Sequence, residues 1–110
     1  MSKQIDPNQA IDYLLKNAGK FAKAKAERVY LEEFRKTKKA ILMGDAPDGT
    51  IAAKEQYAYS HQDYKTLLEG LRDAVEIEEK LRWDMLAAQM RVEVWRSQEA
   101  SNRSIDKTMR

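Results

Sequence analysis

Apolar residues recur at alternating spacings of three and four along the second half of the chain. The recurring positions are Leu71, Ala74, Glu78, Leu81, Met85, Ala88, Val92 and Trp95. Seven of these eight residues are apolar, which is the heptad pattern of a helix that packs against another helix. The pattern predicts a second long helix over residues 61–105. Within it, Glu78 either sets the register of the apolar seam or faces solvent.

The first half of the chain also has a helical pattern. Asp6-Pro7 is a helix start signal, because Asp caps free backbone N–H groups and Pro is tolerated at the first helical position. From Pro7 to Met43 there is a single Gly and no further Pro, so we predict a first long helix over residues 7–43. At about 100° per residue, seven small or aliphatic residues fall within an arc of roughly 80°. We expect this stripe to face a neighbouring helix: Ile11, Leu15, Ala18, Ala22, Ala26, Val29 and Ala40.

Residues 44–50 contain the densest turn signal in the chain, since Gly, Asp and Pro alternate there. Thr50 is a good N-cap for a short helix over residues 51–59. Ser60 then opens the segment Ser-His-Gln-Asp, which resembles a capping box for the second long helix. The predicted fold class is therefore all-α, as one domain over residues 1–110: an elongated helical hairpin with two long helices and a short intervening helix.

Helix length predicts self-association. A helix of about 40 residues is ~60 Å long, whereas a compact globule of this size is only ~35 Å across. Two such helices leave apolar side chains uncovered on a lone chain, and a coiled-coil-like homo-oligomer would cover them. The residues that we expect at the oligomer interface are Leu71, Leu81, Trp83, Met85, Val92 and Trp95.

Composition argues against an enzyme. The 110 residues include no Cys and one His, so cysteine nucleophiles and multi-His or Cys metal sites are excluded. Ser60, His61 and Asp63 are neighbours, but at a helix start they are better explained as capping residues. There is no phosphate-binding Gly-rich loop and no HExxH motif. We expect no catalytic residues, no metal and no cofactor. The sequence also predicts no membrane-spanning segment and no leader peptide, hence a cytoplasmic protein.

Charge is unevenly distributed along the first helix. Nine basic and three acidic residues lie between Lys16 and Lys39, a local balance of +6. Most of these cations share a broad arc with aromatic residues, and this mixture suits single-stranded nucleic acid, because cations neutralise phosphates and rings stack on unpaired bases. The alternative is a solvated face whose Lys stems cover apolar surface. The candidate contacts on this helix are Lys16, Lys20, Lys23, Arg28, Tyr30, Phe34, Arg35, Lys36, Lys38 and Lys39.

A second basic pattern lies near the C-terminus. Arg82, Gln89, Arg96, Arg103 and Arg110 recur every seven residues, and Lys107 joins the same face. This stripe either contacts phosphates or provides the flanking charges of a coiled coil. We include Arg82, Arg96, Arg103 and Lys107 among the candidate nucleic-acid contacts. Residues 69–79, with a balance of −4, separate the two basic zones.

The order of these elements resembles the UvsY family of phage recombination mediators, and also small uncharacterised prophage proteins. The similarity lies in the basic, aromatic-bearing segment over residues 26–40, the Gly/Asp turn, the element Leu81-Arg82-Trp83, and the Ser/Arg-rich end over residues 95–105. The resemblance implies an all-helical oligomer that binds single-stranded DNA and helps a recombinase displace the single-strand-binding protein. Carried over to this chain, it implies DNA contacts at Arg35, Lys36, Lys38 and Lys39, and oligomer packing by the C-terminal helix.

Two hypotheses result. In the first, the chain binds single-stranded DNA non-specifically and acts as a recombination mediator, with a recombinase and a single-strand-binding protein as partners. In the alternative, it is a coiled-coil protein–protein interaction protein, such as a phage structural component or a host-protein inhibitor, that binds no DNA.

Overall fold

A computed structural model describes residues 4–109, and all regular secondary structure within that range is helix. Helix α1 spans Pro7–Asp45, α2 spans Ile51–Ser60 and α3 spans Gln62–Met109. The predicted all-α helical hairpin is confirmed, whereas the coiled-coil-like oligomer stays a prediction. Residues 1–3, and Arg110 of the predicted basic stripe, lie outside the described residues.

The helix starts follow from local hydrogen bonding. The Asp6 side chain accepts hydrogen bonds from the backbone N–H groups of Asn8, at 3.0 Å, and Gln9, at 3.3 Å, so α1 begins at Pro7 as predicted. Thr50 Oγ1 accepts from the N–H of Ala53 at 3.1 Å and caps α2, also as predicted. At its other end α1 continues to Asp45, two residues beyond the predicted bound of residue 43.

The junction between α2 and α3 differs from the prediction. Ser60 is the last residue of α2, and its hydroxyl donates to the carbonyl oxygens of Gln56 and Tyr57 rather than capping α3. His61 takes that position instead, because its extended backbone leaves Nδ1 free to accept from the N–H of Asp63 at 3.0 Å. Helix α3 therefore starts at Gln62, one residue later than predicted, and it ends at Met109, four residues later.

The chain divides into two compact units. The first, residues 22–79, contains most of α1, all of α2 and the start of α3. Its core consists of Leu42, Ala58 and Tyr64, with Met43 packed against them. The Tyr59 and Tyr64 rings meet edge to face at 5.3 Å, which fixes the end of α2 against α3.

The second unit comprises residues 1–21 and 80–110. Its buried residues are small or polar: Ala10, Asn17 and Ala88. The side-chain amide of Asn17 donates to the carbonyl oxygen of Tyr13 at 2.8 Å, so the buried amide keeps a hydrogen bond. In the last part of α3, every described residue from 100 to 109 is exposed.

The stripe of α1 that was predicted to face a neighbouring helix is not covered by another helix of the described chain. All seven of its members are exposed, and Leu15 reaches 74% exposure. The buried or half-buried side chains recur instead at heptad spacing about a third of a turn away, namely Ala10, Leu14, Asn17, Phe21, Ala24, Arg28, Leu31, Lys38 and Leu42. Three members of this covered stripe are polar. The repeat of apolar residues therefore indicated the other face of α1, which is more uniformly apolar.

The heptad seam of α3 lies where the spacing indicates. Ala74, Glu78 and Ala88 are buried, and Leu71, Leu81, Met85, Val92 and Trp95 are half-buried. These side chains are covered within the chain itself, and only Trp83 among the six predicted interface residues is largely exposed. Whether the six residues contact another copy stays a prediction.

Candidate nucleic-acid interface

The site with the clearest capacity for nucleic-acid contact is a pair of stacked rings on α1. The centroids of Tyr30 and Phe34 lie 5.8 Å apart, with the ring planes inclined by 11°. The two residues are four positions apart, so they occupy the same side of the helix. Tyr30 is 60% exposed and Phe34 is half-buried. Tyr30 therefore presents an aromatic face on which an unpaired base could stack.

Exposed cations lie on the same part of α1. Lys23 is seven residues before Tyr30 and so lies almost in line with it along the helix, while Arg35 follows Phe34 directly. Both are exposed, and neither forms an ion pair with any described residue. Their charges are therefore available to an external anion.

Four other predicted contacts, all in the unit of residues 1–21 and 80–110, are also exposed and without an ion pair within residues 4–109. These are Lys16, Lys20, Arg103 and Lys107. Sequence reasoning missed exposed cations of the same kind elsewhere on α3. Lys65, for example, is exposed on α3 with no ion pair to a described residue, but it belongs to no periodic basic stripe that could have singled it out.

Two predicted contacts pair with a carboxylate on their own helix. Lys36 Nζ lies 3.4 Å from Glu33, and Arg96 Nη1 lies 3.2 Å from Glu93. All four side chains are largely exposed. Ion pairs of this kind contribute little to stability, so phosphates could compete for both cations at low cost.

Arg28 instead joins two helices. Its guanidinium donates to both carboxylate oxygens of Glu78 on α3, including a contact of 3.2 Å from Nη2, and to Glu32 on its own helix at 3.0 Å. Glu78 is buried, and these bonds compensate its charge. Hydrogen bonding to Glu78, and then to Glu32, raises the pKa of Arg28 above its ordinary value. Glu78 therefore helps set the register between α1 and α3 and does not face solvent.

Lys38 and Lys39 also make contacts between helices. Lys38 Nζ lies 3.8 Å from Asp63 at the start of α3. Lys39 Nζ lies 3.6 Å from Glu55 on α2, and 4.8 Å from the ring centroid of Tyr59. Hydrogen bonding to Tyr59, and next the charge of Glu55, raises the pKa of Lys39. Both ammonium groups are half-buried parts of the packing between helices.

On α3, Arg82 and Trp83 form a cation–π contact. The guanidinium carbon of Arg82 is 4.9 Å from the centroid of the Trp83 ring, and the tryptophan is 57% exposed. The site of Arg82 is thus an amphipathic surface with an exposed ring.

Other site chemistry is limited in the part of the chain that the structure describes. Residues 4–109 contain no cluster of three acidic or His side chains arranged to hold a metal ion. Among the same residues, no helix combines the length and apolar character needed to cross a membrane.

Comparison with known proteins returns no match. No family model matches this chain, and neither the curated proteins nor the solved structures include one that does.

Proposed function

We propose that this protein binds single-stranded DNA without sequence specificity and acts as a recombination mediator. The proposal rests on one observation above all, the exposed Tyr30–Phe34 ring stack on a helix where Lys23 and Arg35 have no described carboxylate partner. Stacking provides sequence-tolerant contact with bases, and the cations provide contact with phosphates.

The mediator role comes from the resemblance to UvsY-like proteins. A mediator must hold DNA while a recombinase replaces the single-strand-binding protein, and this requires many weak contacts rather than a few strong ones. Self-association would supply them, because linked sites bind at high effective concentration.

The DNA-binding step is tested by fluorescence anisotropy with a labelled oligonucleotide at a series of salt concentrations. The logarithm of the association constant should fall with the logarithm of salt concentration, with a slope of about −0.7 per phosphate neutralised. The double variant Lys23→Gln/Arg35→Gln should reduce that slope by about 1.4. Lys65→Gln, which removes an exposed cation from α3, serves as the matched control. No binding at low salt, or equal slopes for all three proteins, would contradict the proposal.

The stacking contact is tested separately with Tyr30→Ala. Loss of a stacked base costs about 1–3 kcal/mol, so affinity should fall at least about fivefold while the salt slope stays unchanged. The mediator step is tested by strand exchange with a recombinase on DNA coated by single-strand-binding protein. The unaltered chain should shorten the lag, and Tyr30→Ala should not.

A second function is favoured by a different observation. Ile11, Leu15 and Val29 leave an apolar stripe of α1 exposed, which suits a coiled-coil interaction protein that needs no DNA. Lys16→Glu, Lys20→Glu and Lys23→Glu together separate the two functions, because these exposed side chains make no ion pair that would be lost within the described structure. Retained protein binding and biological activity in that variant would favour the interaction protein.

A further inference from the structure

A cavity lies between the start of α1 and the middle of α3, within the unit of residues 1–21 and 80–110. Its volume is about 450 Å³, which is in the range of pockets that hold small molecules. Its floor consists of three alanines, Ala10, Ala87 and Ala88. Because each of these side chains ends at Cβ, the two helices leave a space between them that longer side chains would fill.

Three side chains of different chemistry line the walls of this cavity. Tyr13 of α1 is half-buried and provides an aromatic ring, while Asp84 and Arg91 of α3 provide a carboxylate and a guanidinium. Asp84 and Arg91 are seven residues apart, so they lie nearly in line on α3, about 10.5 Å apart along its axis. The cavity therefore has hydrogen-bond acceptors toward one end and donors toward the other.

Both charged groups have the capacity to bind a ligand. Lys80 Nζ donates to Asp84 Oδ2 at 2.8 Å. An ionised carboxylate has about four acceptor positions, and Asp84 Oδ1 receives no hydrogen bond from a described residue. Arg91 is exposed and forms no ion pair within residues 4–109. Since Lys80 offsets the charge of Asp84, the net charge beside the cavity is positive, which favours an anionic ligand such as a nucleotide.

We infer that this cavity binds an unpaired guanine base. Guanine is planar, and its N1–H and N2 amine are donors while O6 and N7 are acceptors. Asp84 accepts from the two donors, Arg91 donates to O6 and N7, and the Tyr13 ring stacks on the base. Adenine has no N1–H and no oxygen at position 6, so it forms fewer hydrogen bonds with the same two side chains.

Two sources supply this chemistry, a free guanine nucleotide and an unpaired base of single-stranded DNA. The Tyr30–Phe34 ring stack belongs to the other unit and is not part of the cavity. The inference therefore goes beyond the proposed function, and the two can fail separately.

The first test is isothermal titration of the full chain with deoxyguanosine monophosphate and with deoxyadenosine monophosphate. The guanine nucleotide should bind at least about fivefold more tightly, as expected for a two-bond contact that only one base can make. Arg91→Gln should remove this preference. Arg103→Gln is the matched control, because it removes an exposed cation of α3 that does not line the cavity. Equal binding of the two nucleotides by the unaltered chain would overturn the inference.

Asp84→Asn tests which edge of the base faces the carboxylate. An amide has a donor where the carboxylate has an acceptor, so this variant should bind deoxyguanosine monophosphate at least about fivefold more weakly. It should gain affinity for xanthosine monophosphate, which has an oxygen at C2 in place of the amine. A gain of binding does not result from misfolding. A variant that keeps the guanine preference would contradict the role of Asp84.

Filling the cavity is an independent test. Ala87 is exposed, so Ala87→Leu should leave the fold intact while its longer side chain takes up space above the floor. Affinity for deoxyguanosine monophosphate should fall at least about tenfold, and Ala100→Leu, an exposed alanine of α3 outside the cavity, should not change it. Circular dichroism checks that both variants remain helical. Unchanged affinity in Ala87→Leu would place the nucleotide elsewhere.

The source of the base is tested by anisotropy with two oligonucleotides, one of thymidine alone and one with a single central dG. If DNA supplies the base, the second should bind more tightly, and Asp84→Asn should remove that difference without weakening the first. If only the free nucleotide shows the preference, the cavity is a nucleotide site. Failure of both oligonucleotides to bind would contradict the proposed function alone. Absence of a guanine preference in nucleotides and oligonucleotides alike would overturn the inference.

Discussion

The two units of the molecule hold their helices together by different chemistry. In residues 22–79, charged side chains take part in the packing between helices, with Arg28 bound to Glu78 and Lys39 placed between Glu55 and the Tyr59 ring. In the unit of residues 1–21 and 80–110, the buried contacts involve small residues such as Ala10 and Ala88. The first arrangement commits some of its cations to the fold but leaves Lys23 and Arg35 exposed, whereas the second leaves cations such as Lys16 exposed.

This difference changes how the basic residues should be interpreted. A positive local balance in the sequence suggested one continuous binding surface, yet Arg28, Lys38 and Lys39 each contact a carboxylate on another helix. Their loss would disturb packing as well as any DNA contact. Lys16 and Lys20, which have no described ion pair, are better probes of binding alone.

The largest expected contrast is in amide hydrogen exchange. In dilute protein, amides of residues 101–109 should be protected less than about tenfold, because no neighbouring helix covers them, while those of Leu42 and Tyr64 should be protected more than about 1,000-fold. Exchange measured by mass spectrometry or NMR checks this. Equal protection of both segments in the monomer would show that the end of α3 does not need a partner.

The next largest effect concerns the buried carboxylate. Glu78→Ala should lower the free energy of unfolding by about 1–3 kcal/mol, because hydrogen bonds to a charged group are lost inside the helix contact. Denaturant unfolding followed by circular dichroism measures the change. Glu27→Ala, which removes an exposed carboxylate without a described ion pair, should change stability by less than about 0.5 kcal/mol.

The combined variant Arg28→Leu/Glu78→Leu sharpens this test. Replacing a buried ion pair by apolar residues is often neutral or stabilising, so the double variant should recover most of the loss. If the double variant is no more stable than Glu78→Ala, then the specific geometry of the Arg28–Glu78 ion pair is what stabilises the contact between the helices.

A smaller effect separates the cations of the two units. Lys16→Gln/Lys20→Gln should weaken DNA binding about tenfold at moderate salt, with the melting temperature unchanged, since two phosphate contacts are removed from an exposed surface. Lys38→Gln/Lys39→Gln should lower the melting temperature and weaken binding less. Anisotropy and thermal unfolding measure the two quantities. The opposite ranking would show that Lys38 and Lys39 contribute more to DNA binding than Lys16 and Lys20 do.

The smallest expected effect is in alkaline solution. The hydrogen bond with Tyr59 is the largest cause that raises the pKa of Lys39, and the charge of Glu55 raises it further. Its stabilising contacts are therefore complete below the ordinary lysine pKa of 10.5, and they are lost as the pH rises through the higher folded-state value. Between about pH 10 and pH 12, the melting temperature of Lys39→Met should fall less than that of the unaltered chain. The melting temperature of the control variant Lys65→Met should fall as much as that of the unaltered chain.

Local signals in the sequence predicted much of the fold. Asp6 and Thr50 were identified as caps because their short side chains reach backbone N–H groups two or three residues ahead, whatever surrounds them. The seam of α3 was identified because its residues are mostly apolar and repeat at heptad spacing. The prediction that Ser60 caps α3 was wrong, because the neighbouring residue His61 can also cap a helix.

The candidate site was less predictable. Tyr30 and Phe34 were identified from sequence, and their spacing of four residues accounts for the ring stack. The contacts of Arg28 and Lys39 were not predicted, because each depends on a carboxylate from another helix. No local pattern reports which of two distant charges will meet.

The sequence by itself determined that this chain is helical, where α1 and α2 begin, and which face of α3 is covered. These properties follow from capping residues and from the repeat of apolar side chains along a single helix. Only the tertiary structure decided which face of α1 turns inward, because that face contains Asn17, Arg28 and Lys38. Burying such groups is costly until a partner such as Glu78 compensates them, and that partner is 50 residues away along the chain.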